Sequence, residues 1–174
     1  MIYLCFNKGK ESFQMADQIK NRIISGTAYW ANVVSPNTTF DPHRWEINVC
    51  NLSDETRAMV EEDGLDIKNK SDDRGDFVTI KRNLLRKDGG TNDAPKVVDA
   101  DNSPMHNTLI GNGSLVNVKY RPYAWSYSNR NGVSADLMAV QVVDLVEHMA
   151  DGDFDAVEGG YTSSEGSDIP FPTN

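Results

Sequence analysis

The run at residues 115–123 restricts the architecture of this chain more than any other stretch. Ile110 leads into Gly111-Asn112-Gly113-Ser114, a composition that turns rather than extends, and the turn releases a segment whose apolar and polar residues alternate with a period of two. Such alternation fits a half-buried β-strand, because successive side chains of an extended chain leave on opposite faces. Val116, Val118 and Tyr120 are expected to face a core. Asn117, Lys119 and Arg121 then share the other side, joined by Tyr123 and Trp125 if the extended chain continues past Pro122. Cations and rings interleave on one surface. Lysine and arginine neutralise phosphates and flat rings stack on unpaired bases at ~1–3 kcal/mol each, so the pattern carries the two ingredients of single-strand nucleic-acid binding. A solvated sheet face with aromatics packed for stability satisfies it equally.

The rest of the chain is read around that strand. Residues 23–34 are rich in β-branched and aromatic types and predict a first strand, in which one of Tyr29 and Trp30 packs in the core and the other is free for a surface role. Ser35-Pro36-Asn37 and Phe40-Asp41-Pro42 punctuate a loop, and residues 44–50, opening on Arg44, predict a second strand with Trp45, Ile47 and Val49 on one face. Residues 53–64 carry the signals of a short surface helix: Ser53 to cap it, Asp54 and Glu55 at the positive end of the dipole, Gly64 to end it. A polar loop follows over residues 69–76. Residues 77–85 predict a third strand, and Lys81, Arg82, Arg86, Lys87 and Lys96 make its neighbourhood the most basic part of the chain, although a Lys-Asp-Gly-Gly hairpin tip is commonly charged for solubility alone. A short strand at 97–99 and a long one at 132–146 complete the set. Both faces of the last carry hydrophobics, as expected of a central strand that bends, through a bulge, around a small barrel. Five or six strands and one short helix describe a mainly β domain, a partly open Greek-key barrel such as the OB-fold, though periodicity alone leaves a β-sandwich open.

Charge is unevenly distributed. Residues 149–174 hold six of the 26 acidic residues and no lysine or arginine, which leaves 20 acids against all 17 bases in residues 1–148. A nearly balanced body with a purely acidic tail keeps local basic surfaces available in spite of a net charge of −9. The tail, rich in Asp, Gly and Ser, lacks the apolar area to offset the entropy of ordering and is expected to be disordered. Its end, Asp168-Ile169-Pro170-Phe171, sets an aromatic beside acids, a combination suited to a basic-rimmed apolar pocket on a partner. Such a tail also serves simple solubility. Residues 1–20 read as an N-terminal extension, with Met15 a natural start of translation, so the expected domain spans residues 21–148.

Little points to catalysis. His43, His106 and His148 are scattered without metal-ligand spacing, and Cys5 and Cys50 form no zinc motif and read as reduced thiols. No cofactor or metal is expected. Asp99 and Asp101 could hold magnesium as in a nuclease, but two acids in a turn are more often a turn. Gly111-Asn112-Gly113-Ser114 lacks the lysine of a P-loop and precedes a strand. No apolar run approaches the ~18 residues of a membrane span.

The residues already named, in their order, carry a resemblance. Val97-Val98-Asp99, Leu109-Ile110-Gly111-Asn112-Gly113-Ser114, Val116-Asn117-Val118-Lys119-Tyr120, Pro122-Tyr123-Ala124-Trp125 and Gly132-Val133-Ser134-Ala135-Asp136-Leu137 are similar to the single-stranded DNA-binding proteins of T-odd podophages and related phages. The likeness spans residues 24–148 and is tightest over 96–147. It implies an OB-fold that coats unpaired DNA and promotes annealing in phage replication, recombination and repair, in the cytoplasm of the infected bacterium. It further implies that the acidic tail recruits the replicative polymerase and the helicase–primase, and that Tyr123 and Trp125 stack on bases. It leaves a homodimer open. Lys119 and Arg121 are added from their shared face, Lys81, Arg82, Arg86 and Lys87 from charge, and Tyr29 and Arg44 from their strands. Two residue patterns depart from the family: Phe171 is followed by three further residues, and Asp-Ile-Pro-Phe resembles the tail tip of bacterial single-stranded DNA-binding proteins. An interaction adaptor and, more remotely, a metal-dependent nuclease are the rival readings.

Overall fold

The structure is a computed structural model and describes residues 20–148. The expected tail with Asp168, Ile169, Pro170 and Phe171, Cys5, and the expected N-terminal extension save Lys20 lie outside the described residues.

Seven strands and one helix follow in the order β1 (Arg22–Asn37), β2 (Arg44–Cys50), α1 (Asp54–Glu62), β3 (Lys68–Asn69), β4 (Asp76–Asn83), β5 (Lys96–Val98), β6 (Leu115–Tyr127) and β7 (Arg130–Asp144). Five of them close a barrel. β1 pairs antiparallel with β2 and β6, β2 with β4 and β6 with β7, and the parallel pairing of β4 with β7 at Lys81 and Asp136 joins the two ends of the sheet. β3 folds back on β4, and β5 runs parallel beside β7. This is the OB-fold expected from the strand pattern, with closure in place of an open edge.

The alternation of β6 is realised as read. Val116, Val118 and Tyr120 are buried, and Asn117, Lys119 and Arg121 leave on the other side. Ile24, Ala28 and Val33 of β1, Trp45, Ile47 and Val49 of β2, Val78 and Ile80 of β4 and Leu137 and Val140 of β7 complete the interior. β7 borders β6, β4 and β5, which explains hydrophobics on both its faces. Its register against β6 slips after Leu115 and after Lys119, and the extra residues, Val143 and Met138, are the bulges that let a long strand curve.

The helix is set by the local chemistry of its ends. The Ser53 hydroxyl accepts from the Thr56 backbone N–H at 3.2 Å, and Gly64, with φ of 77°, turns the chain out. Val60 enters the core. Asp63, an acid at the unfavourable end of the helix dipole, is compensated by two neighbours: the Tyr120 hydroxyl donates to it at 2.7 Å and Arg22 Nε at 3.0 Å. Burial, then the hydrogen bond and charge of Asp63, push the Tyr120 phenol above its usual value, so it stays a neutral donor.

Three expectations are corrected. The loop expected at Ser35-Pro36-Asn37 is the end of β1, where the register between Asn32 and Asn37 is irregular and proline's missing N–H disrupts no regular ladder. The polar loop of residues 69–76 begins in β3. Neither Tyr29 nor Trp30 joins the core cluster, because β1 bulges between Tyr29 and Asn32 and turns Trp30 outward.

Candidate nucleic-acid interface

The outward side chains of β1, β2 and β4 line up by register. Asn32 stands opposite Glu46 and Glu46 opposite Lys81, while Asn48 faces Thr79. The β3–β4 hairpin lays Lys68 and Lys70 along the same face, the β1–β2 loop adds Phe40, and Arg44 stands at the start of β2. Together they line an open groove across the barrel, with Trp30 on its β1 side. Lys68, Thr79 and Lys81 also line an adjoining depression whose other walls include Leu65, Trp125 and Val133. One cationic floor therefore lies between Trp125 on one side and Trp30 with Phe40 on the other.

The cations that line the groove outnumber its acids. Lys81 is half-buried, and its pKa is held below the ordinary lysine value, first by loss of solvent and then by the positive charges of Arg44 and Lys68, against a smaller opposing effect of Glu46. A partly desolvated cation among like charges, lining an open groove, is a candidate binding group. Glu46 is already engaged, accepting from Arg44 Nε at 2.8 Å and from Asn37 Nδ2 at 3.1 Å. None of the ion pairs among the described residues involves Lys68, Lys70 or Lys81. Arg74 is different: Asp72 holds it, it lies 4.3 Å over the Phe77 ring, and the hydrogen bond it donates to Asp72 raises its pKa. It buttresses the groove end. Across from Phe77, Cys50 is buried, and loss of solvent pushes its thiol up to about 11, so it is an unreactive packing residue.

Trp125 owes its position to a glycine. It pairs across the ladder with Gly132, and a Cβ there would meet indole Cζ2 at 2.9 Å, Cε2 at 3.0 Å and Nε1 at 3.1 Å. Three contiguous ring atoms at nearly one distance mean that the ring lies flat over the glycine. Trp125 is half-buried and is among the residues that line the depression. Trp30 and Phe40 are 60% and 66% exposed, large apolar rings in open contact with water.

Lys81 and Arg44 meet in the groove, and Trp125 joins Lys81 in the adjoining depression. Tyr123, 39% exposed and opposite Ser134, lies two residues along the β6–β7 arm from Trp125. Lys119 sits between Ile23 of β1 and Ala139 of β7, and Arg121 pairs with Asp136 at 3.4 Å, so neither borders the groove. Arg82 shares the parity of Val78 and Ile80; its Nε is buried and its Nη1 donates to the Leu137 carbonyl at 3.2 Å. Arg86 and Lys87 occupy a hairpin tip closed by the Arg86 N–H on the Gly90 carbonyl at 2.7 Å. Tyr29, half-buried opposite Asn48, is not among the lining residues. Lys68, Lys70 and Phe40 carry no expectation of binding from sequence, and Trp30 only that of a surface role open to it or to Tyr29. The alternation of Lys68 and Lys70 was the available signal. Asp99, the nuclease candidate, spends its Oδ1 on the backbone N–H groups of Asp101 at 2.9 Å and Ser103 at 2.8 Å, a turn. Among the described residues no helix is long and apolar enough to cross a membrane.

A small closed Greek-key barrel with a basic, ring-flanked groove over its second and third barrel strands is an OB-fold carrying its groove on the face where such folds take oligonucleotides and oligosaccharides. Particular proteins share the fold. The single-stranded DNA-binding protein gp2.5 of bacteriophage T7 superposes with a TM-score of 0.56 at 18% identity, over 83% of this chain and all of that one. The single-stranded DNA-binding protein of bacteriophage Enc34 gives 0.54 at 13% identity, over 78% of this chain and 87% of its own. The same Enc34 protein in complex with single-stranded DNA gives 0.55 at 12%, over 75% and 89%. At such identities the likeness is one of fold, and it is to the phage proteins that the sequence resembles. No family model matches the sequence, and no curated protein matches it.

Proposed function

We propose that this chain binds single-stranded DNA without regard to sequence, coating and protecting it and promoting annealing during phage replication, recombination and repair, and that it does so without catalysing a reaction. The observation that carries the reading is the convergence of Lys81, Lys68 and Arg44 on one open groove, with Trp125 lining the depression that adjoins it at Lys68 and Lys81. Phosphates supply partners for Lys68 and Lys81, which enter none of the ion pairs among the described residues, and unpaired bases supply flat partners for rings; a duplex hides its bases from such rings. The fold neighbours support it, one of them being a complex with single-stranded DNA. Lys81, Arg44, Lys68 and Trp125 are the contact residues of the groove, and Tyr123 extends the path along the hairpin arm.

The resemblance to the phage proteins assigns residues 149–174, with their acids and Phe171, to recruiting the phage polymerase and helicase–primase in the host cytoplasm. The test of the central reading is a titration of labelled oligonucleotides at two salt concentrations. Each neutralised phosphate should contribute about −0.7 to the slope of log affinity against log salt, so three cations predict a slope near −2. No salt-dependent retention would return the chain to the adaptor class. Magnesium-dependent degradation that is lost on substituting Asp99 and Asp101 would return it to the nucleases.

A further inference from the structure

Trp30 has a backbone that a bulky residue adopts only under constraint. Its φ is 53°, in the left-handed region that favours glycine, within the bulge where Trp30 and Ala31 together oppose Ile47 of β2. Burial cannot be the compensation, because the side chain is 60% exposed. The turn Gly111-Asn112-Gly113-Ser114 holds the bulge in place. Ala28 N–H donates to the Ser114 carbonyl at 2.8 Å, Gly113 N–H to the Ala28 carbonyl at 2.9 Å, and Trp30 N–H to Asn112 Oδ1 at 2.9 Å. A strained, exposed indole kept by dedicated hydrogen bonds is the kind of outlier that function maintains and packing does not.

What the ring would meet follows from its neighbours. It stands at the side of the groove floored by Arg44, Lys68 and Lys81, next to the exposed Phe40, and it also borders the hollow beyond, lined by Leu109 and Val146. A base whose phosphates lie on those cations has this indole within reach as a flat partner. We propose that Trp30 is a nucleobase-stacking residue, a second platform at the far side of the cationic floor from Trp125, and that Asn112 is the positioning residue that holds it there. The inference rests on the single-stranded DNA reading and deepens it. It gives the Gly-Asn-Gly-Ser turn the task of aiming a ring.

The experiment uses the full chain with a labelled oligothymidylate, titrated beside guanidinium unfolding. Glycine adopts a φ of 53° without strain, so Trp30→Gly is expected to unfold at the wild-type midpoint or above it while losing roughly 5- to 150-fold in affinity, the range for one base–ring stack. Trp30→Phe, which keeps a ring, should recover most of that loss. Asn112→Ala should weaken binding by a smaller factor with an unchanged salt slope, because no phosphate contact is removed. Wild-type affinity in Trp30→Gly overturns the proposal. So does an affinity loss that comes with a lowered unfolding midpoint and is not recovered by Trp30→Phe, since that assigns the residue to folding. If Lys81 and Trp125 substitutions weaken binding while Trp30→Gly does not, this platform alone fails; if the wild-type chain shows no affinity, the parent reading fails with it.

Discussion

Replacing Gly132 by alanine adds one carbon beneath the Trp125 indole and little else. That carbon would stand 2.9 Å from Cζ2, and apolar carbons rest at ~3.5–4.0 Å, so the ring must withdraw by ~0.5–1 Å. A side chain can make that move without disturbing the ladder, and alanine is favoured over glycine in a strand by ~0.5–1 kcal/mol, so the stability of the variant should match or slightly exceed that of the parent. Binding should not match. A displacement of ~0.5–1 Å forfeits a quarter to a half of a contact well; applied to a stack of ~1–3 kcal/mol, this is ~0.3–1.5 kcal/mol, or a loss of about 2- to 12-fold in affinity. Trp125→Ala should lose the whole stack, about 5- to 150-fold. Fluorescence anisotropy with labelled oligonucleotides measures both, and guanidinium unfolding checks the fold. Wild-type affinity in both variants would show that the indole does not touch DNA. A strongly destabilised Gly132→Ala would show that the glycine serves packing instead.

Other consequences can be checked. Lys81→Met keeps much of the half-buried stem and removes the charge, so it should flatten the salt slope by about 0.7 and leave the fold intact; an unchanged slope removes Lys81 from the phosphate path. Tyr120→Phe leaves Asp63 without its phenol donor and should cost about 1.5–3 kcal/mol in urea unfolding, with DNA affinity unaffected. Because the folded Cys50 thiol is raised to about 11 from an ordinary 9.0, the unfolded chain loses that proton first; the contribution of Cys50 is complete below about pH 9 and is lost as pH rises toward 11. Cys50→Ala should flatten the fall of the unfolding midpoint over that interval, and an equally steep fall would assign the alkaline sensitivity elsewhere, with Tyr120 the next candidate. Removal of residues 150–174 should tighten DNA binding if the acids compete for the groove, and weaker binding after truncation would reverse that model.

What could be read from the chain was whatever its neighbours in sequence decide. The alternation of β6 and the caps of α1 are local patterns, and both formed as read because Val116, Val118 and Tyr120 had to share a face and Ser53 had to satisfy a helix N–H. The groove was less legible because it is assembled from pairings between distant segments. Lys81 looked like one of several basic residues after Phe77; only its register with Glu46, and Glu46's with Asn32, shows that it lies on a floor shared with β1. Arg82, adjacent and equally charged, falls on the opposite parity. Trp30 was hidden for another reason. Strict alternation would have placed it with Ala28 inside the barrel, and a single bulge, invisible to a period-two reading, reverses that.

The barrel has a seam. β4 and β7 meet through one registered pair, Lys81 with Asp136, whereas β6 and β7 are laddered along almost their entire length. A join that short is where the wall should part first in any partial opening, and amides flanking it should exchange sooner than those of β6. Yet the lysine at the seam also floors the groove. A DNA strand lying there would straddle the join like a strap across a split hoop, so the barrel that grips the strand is also the barrel the strand holds shut.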